Sequence, residues 1–112
     1  MDIVQEQVGG MRVVVVSGRL DGAASSGFAE QVGAFVTGDS PKLLLDFGGV
    51  DFVTSAGLRA VLQIVKRVKA SGGVFALCSV RDPVREVLDI SGFTAMFSIH
   101  PGRSDAVAAM AG

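Results

Sequence analysis

Disulfide bonding and metal chemistry are the first things for which this sequence has too little material. It holds one cysteine, Cys78, and one histidine, His100. No intrachain disulfide can form, and a zinc site of the usual cysteine and histidine kind lacks a ligand set. A lone thiol suits a reducing cytosol, and Cys78 sits in an apolar run that reads as a buried strand, so it is expected to be an inert core residue. Charge of one sign is lacking as well. Ten basic residues stand against eleven acidic ones, a net charge of −1, so no strong field draws nucleic acid or an anionic membrane. No apolar run approaches the ~20 residues that cross a bilayer, and no membrane insertion is expected. Met1-Asp2-Ile3 has neither the basic region nor the apolar run of a signal peptide, which makes the cytoplasm the expected location. Glycines number 15, yet neither Gly-x-x-x-x-Gly-Lys-[Ser/Thr] nor Gly-x-Gly-x-x-Gly occurs, so nucleotide binding has no motif behind it.

What is present is apolar. Hydrophobic residues make up 49% of the 112, enough for a core and too many for a disordered chain. Residues 1–112 read as one domain, able to bury about two-thirds of the surface of its unfolded chain.

Ile3 to Val8 alternates apolar and polar residues, the mark of a half-exposed strand. Gly9-Gly10 is a turn signal, and Arg12 to Ser17, with four consecutive valines, reads as a strand covered on both faces. The two form an expected β-hairpin, and Gly18-Arg19-Leu20-Asp21-Gly22 leads out of it. From Ala24 to Val36, Phe28, Val32 and Phe35 line one helical face. Gly27 and Gly33 each cost that helix ~1 kcal/mol against alanine, so tertiary packing must hold it. Thr37 to Pro41 is a turn cluster that stops it.

Lys42 to Phe47 reads as a buried strand closed by Gly48-Gly49. The helix that follows is apolar at Leu58, Val61, Leu62, Val65 and Val68, and polar at Arg59, Gln63, Lys66 and Arg67. It ends at Ser71-Gly72-Gly73, a glycine C-cap near Ala70. Val74 to Val80 is another apolar strand. Asp82 is the expected cap of a third helix with Pro83 at its first position, and Val84, Val87, Leu88 and Ile90 give its apolar face. Ser91-Gly92 ends it. A short last strand lies around Phe97-Ser98-Ile99, His100-Pro101-Gly102 turns the chain, and Ser104-Asp105 caps a final helix to Met110. Strands alternating with helices imply right-handed crossovers and a mostly parallel sheet, which the opening hairpin makes mixed. The expected class is α/β, with about five strands and about four helices.

Thr54 and Ser55 carry the candidate chemistry. Hydroxyls at this point are suited to cap the second helix. If Thr54 is the cap, Ser55 lies in the first turn, near the positive end of the helix dipole. Position alone leaves its hydroxyl open to three readings: a cap, a phosphate acceptor, or an enzyme nucleophile. The last is weak, because no Gly-x-Ser-x-Gly elbow surrounds it and His100 lies in a separate turn. Asp21, Asp46 and Asp51 fall at strand ends or adjacent turns. Any two that flank Ser55 would form an acidic rim and raise the electrostatic cost of phosphate there. The face with Arg59, Lys66 and Arg67 is either simply solvated or a partner surface.

The same stretch resembles a known family. Leu45-Asp46-Phe47-Gly48-Gly49-Val50, followed by Thr54-Ser55-Ala56-Gly57-Leu58, is similar to the signature of the STAS domain, and more narrowly to that of bacterial anti-sigma factor antagonists. Gly18-Arg19-Leu20-Asp21 resembles the Gly-x-Leu-Asp turn that follows the second strand in such domains. The resemblance implies a STAS-like fold, no catalysis and no cofactor. It implies that Ser55, in an (Asp/Ser)-Ser-(Ser/Ala)-Gly-Leu segment, is phosphorylated by an anti-sigma factor serine kinase and restored by a phosphatase. The unphosphorylated form would bind that kinase and free a sigma factor, acting as a monomer or weak dimer. Asp21, Ser55, Gly57, Arg59, Gln63 and Lys66 form the expected partner surface. Gly48 departs from the serine common in relatives, at what is expected to be a turn. Thr54 replaces the more usual Asp or Ser and is a second candidate acceptor. The rival reading is a STAS adaptor subunit of an ABC-type lipid transport complex, whose members often lack the phosphoserine.

Overall fold

The computed structural model describes residues 1–111. Its elements follow in the order β1 (Asp2–Val8), β2 (Met11–Leu20), α1 (Gly22–Gly33), β3 (Lys42–Val53), α2 (Ser55–Ala70), β4 (Val74–Cys78), α3 (Asp82–Ile90), β5 (Ser98–His100) and α4 (Arg103–Met110), with a 3₁₀ turn at Phe93–Ala95. The strands lie in the sheet in chain order, β1 antiparallel to β2 and every later pair parallel. This is the mixed, mostly parallel α/β architecture that the alternating patterns predict.

Chain order decides where the helices go. Each parallel step moves the same way along the sheet, so right-handed crossovers place every connecting helix on one face. There Val14, Val16, Leu43, Leu45 and Phe47 of the sheet meet Phe28 and Val32 of α1, Val61, Ile64 and Val65 of α2, and Val84 and Leu88 of α3. The opposite face is left to α4, whose Ala106 and Met110 cover Met11, Val13, Leu44, Ala76 and Cys78. Successive strand residues point to opposite faces. Consecutive apolar residues in β2 and β3 therefore feed both cores. Cys78 is fully buried in the second core. Burial pushes its thiol above the ordinary range and the Asp46 carboxylate adds to this, against opposing pulls from Ser79 and Arg103. The thiol is held protonated at neutral pH, as an inert core residue should be.

Several boundaries differ from the sequence reading. β2 and β3 do not stop at Ser17 and Phe47; they stay paired up to Leu20 and Val53, through register shifts between Val15 and Ser17 and between Gly18 and Arg19. Gly49 makes this possible, because a Cβ there would stand 2.5 Å from Ser17 Cβ. Gly48 therefore lies within a strand, not in a turn, and glycines here mark a bulge and a close approach of two backbones. α1 starts before Ala24 because Asp21 caps it, and it ends at Gly33, leaving Phe35 and Val36 beyond the helix. β4 stops at Cys78 because Ser79 turns the chain with φ +59°. α3 has Arg81 as its cap residue, which moves Asp82 and Pro83 inside the first turn. β5 takes in His100, and α4 starts from Gly102 without a side-chain cap, so Ser104 and Asp105 lie in its first turn. Among the described residues no helix is long and apolar enough to cross a membrane.

Candidate functional site

β2 and β3 end side by side, with Leu20 next to Val53, and α1 and α2 start from those ends. A junction residue ties them together. Thr54 N donates to Leu20 O at 3.0 Å, and Thr54 Oγ1 accepts from Gly57 N at 3.3 Å. Thr54 is extended (φ −99°, ψ 175°) and is the N-cap of α2. Its hydroxyl is committed to the helix start and half-buried, which leaves it poorly placed as an acceptor. Thr54→Ala should lower stability by ~1 kcal/mol, read as a lower urea midpoint with an unchanged slope.

Ser55 is the first residue of α2 and is exposed. Because Thr54 supplies the cap, Ser55 Oγ stands clear of that task, beside free backbone N–H groups and the positive end of the dipole. Gly57 is different. It is buried, and a Cβ there would come 2.3 Å from Leu20 O and 2.8 Å from Leu20 Cγ. It offers no surface to a partner; it lets α2 sit hard against the end of β2.

The acidic residues separate. Asp21 Oδ1 accepts from Ala24 N at 3.1 Å and so caps α1, next to Leu20 at the same junction. Asp51 is exposed near the end of β3. Asp46 is elsewhere: its Oδ1 accepts from Gly48 N at 2.9 Å, and its Oδ2 lies 3.8 Å from Arg103 Nε. At ~3.3 Å of rise per residue, it sits ~23 Å along the strand from Val53. It does not flank Ser55, and only Asp21 and Asp51 are left to form a rim.

Arg59, Gln63 and Lys66 are exposed on α2, and their spacing of three and four residues keeps them on one side of the helix. Ala56, Arg59, Ala60 and Gln63 face Ser25, Ser26, Ala29 and Glu30 of α1 across an open groove of about 520 Å3. The α1 wall was missed by the sequence reading, because it depends on two helices packing side by side. Phe52 and Arg19 were missed for a similar reason: they meet only through the β2–β3 register. His100 is in register with Cys78 on β5, outside the Thr54–Ser55 junction, and among the described residues no cluster of His, Cys, Asp and Glu is able to hold a metal. The arrangement is that of an exposed hydroxyl at a helix start, set in a mixed-charge surface.

A family model described as the STAS domain matches residues 2–106. BtrV of Bordetella bronchiseptica is 32% identical over 109 residues, which is 97% of this chain and 94% of that protein. An anti-sigma F factor antagonist of Paenibacillus polymyxa is 29% identical over 108 residues, 96% of this chain and 92% of that one. The crystal structure of an anti-sigma factor antagonist from Mycobacterium paratuberculosis is similar at a TM-score of 0.88 and 27% identity, covering 99% of this chain and 94% of that one.

Proposed function

This chain belongs to the STAS domain family, and on that premise we propose that it is an anti-sigma factor antagonist switched by phosphorylation of Ser55. The observation that carries the reading is the division of roles at the start of α2: Thr54 caps, and the neighbouring Ser55 hydroxyl is exposed. The partner is an anti-sigma factor serine kinase in the cytoplasm. It is bound by the unphosphorylated form through Asp21, Ser55, Arg59, Gln63 and Lys66, and its capture frees a sigma factor.

The chemistry of switching is supplied by that partner. Ser55 Oγ attacks the γ-phosphorus of ATP, ADP leaves, and the hydroxyl proton passes to a base on the kinase. A phosphatase returns the serine by hydrolysis. The added dianion meets the favourable end of the α2 dipole and its unpaired N–H groups, so the fold tolerates it and the effect falls on docking.

Incubation with the partner kinase and ATP should add one phosphate, mapped by mass spectrometry to Ser55. Ser55→Ala should abolish the addition and keep partner binding, since removing an exposed hydroxyl changes little contact area. Phosphate found on Thr54 alone would overturn the assignment.

A further inference from the structure

Phe52 is 41% exposed, whereas Phe28, Phe47, Phe75 and Phe93 are buried. It is paired in register with Arg19, whose guanidinium carbon lies 4.2 Å from the ring centre. Their strand neighbours Leu20 and Val53 point into the helix-covered core, so alternation turns Arg19 and Phe52 outward together. The stack orients the guanidinium before any partner arrives. Its N–H fork is largely unspent. The ion pair it makes, Arg19 Nε to Asp21 Oδ2, is 3.9 Å long, beyond hydrogen-bond reach, and Asp21 Oδ1 is engaged in capping α1. The Arg19 side chain is 62% exposed.

An oriented guanidinium with free donors on an exposed aromatic ring is the chemistry of an interface anchor. Arginine and aromatic residues are enriched where binding energy concentrates. We infer that Arg19 and Phe52 form a second docking anchor, which takes a carboxylate side chain of the anti-sigma partner. The carboxylate fills the guanidinium fork in a bidentate pair, and its aliphatic stem lies on Phe52. The anchor adjoins the proposed partner surface through Asp21, whose Oδ2 lies 3.9 Å from Arg19 Nε and whose Oδ1 caps α1 at the strand ends from which α1 and α2 start. This inference rests on the anti-sigma antagonist reading.

The test is calorimetric titration of the full chain with the purified anti-sigma factor that phosphorylates Ser55. Arg19→Ala and Phe52→Ala should each weaken binding about tenfold, and Arg19→Glu about a hundredfold or more, since it sets like charges against each other. Arg19→Lys should recover little, because an ammonium offers no planar fork. Melting temperatures should stay at the parent value, both side chains being exposed; if Phe52→Ala melts early, the arginine variants alone decide. Parent affinity in every arginine variant would overturn the anchor and leave the antagonist reading standing. A parent chain that fails to bind removes that reading, and the anchor with it. Concentration-dependent self-association in sedimentation, abolished by Arg19→Glu, would assign the patch to a second copy and overturn the proposal.

Discussion

Ser55→Asp is expected to fold with a melting temperature close to that of the parent and to bind its anti-sigma partner much more weakly. The fold should accept the carboxylate because it lies in the first turn of α2, where negative charge is favoured by the dipole. Docking is another matter. The charge must lose its water in the interface, and it meets Asp21 and Asp51 near the same strand ends. A poorly compensated interfacial charge costs roughly 2–5 kcal/mol, or tens- to thousands-fold in affinity. Aspartate should mimic phosphate only in part, having less charge and fewer acceptor oxygens. Calorimetric titration of parent and variant decides the matter. Equal affinities would rule out an electrostatic block, and a variant that melts far earlier would point to a conformational switch.

Gly57→Ala is expected to destabilise the domain even though alanine is the better helix former. The helix preference favours alanine by up to ~1 kcal/mol. Against it stands a methyl group at 2.3 Å from a backbone oxygen and 2.8 Å from a core side chain. Leu20 O cannot rotate away as a surface side chain does, because it also accepts from Thr54 N. The clash is relieved only by lifting α2 from the end of β2. Overpacking costs typically ~1–3 kcal/mol, and a contact this short with backbone belongs at the upper end, so the net loss should be about 2 kcal/mol. Gly27 is the control. It lies in α1 with nothing within 4 Å of its added Cβ, so Gly27→Ala should raise stability by up to ~1 kcal/mol. Urea denaturation of both variants reads the two signs; a Gly57→Ala variant as stable as the parent would remove the argument for close packing.

The residues that were legible in the sequence are those whose role is local. Hydroxyls just before a 3.6-residue apolar period mark a helix start, and Thr54 and Ser55 fall there in the structure. Runs such as Val13–Val16 and Leu43–Leu45 announce strands fed to two cores. What escaped was set across the sheet. A glycine pair is a turn signal and a bulge signal alike, and only the partner strand decides which. Gly48-Gly49 was read as the end of β3, which brought Asp46 too near the site and hid the paired extension that carries Arg19 and Phe52. Gly57 looked like a contact residue because its constraint, Leu20, lies far away in the chain.

That distance has a further consequence. The first peptide group of the junction is held by Leu20 O, reached across 34 residues of chain from Thr54, and the intervening segment must complete α1 and its crossover first. A peptide spanning α2 alone has 16 residues, barely past the ~12–15 below which isolated helices are marginal in water even when alanine-rich, and it lacks the Leu20 contact that anchors its start. The surface around Ser55 therefore exists only in finished molecules. An enzyme that needs this shape to act is, in effect, an inspector of nascent and damaged chains: it leaves unfolded copies unmarked, and the signal it writes counts native protein rather than polypeptide.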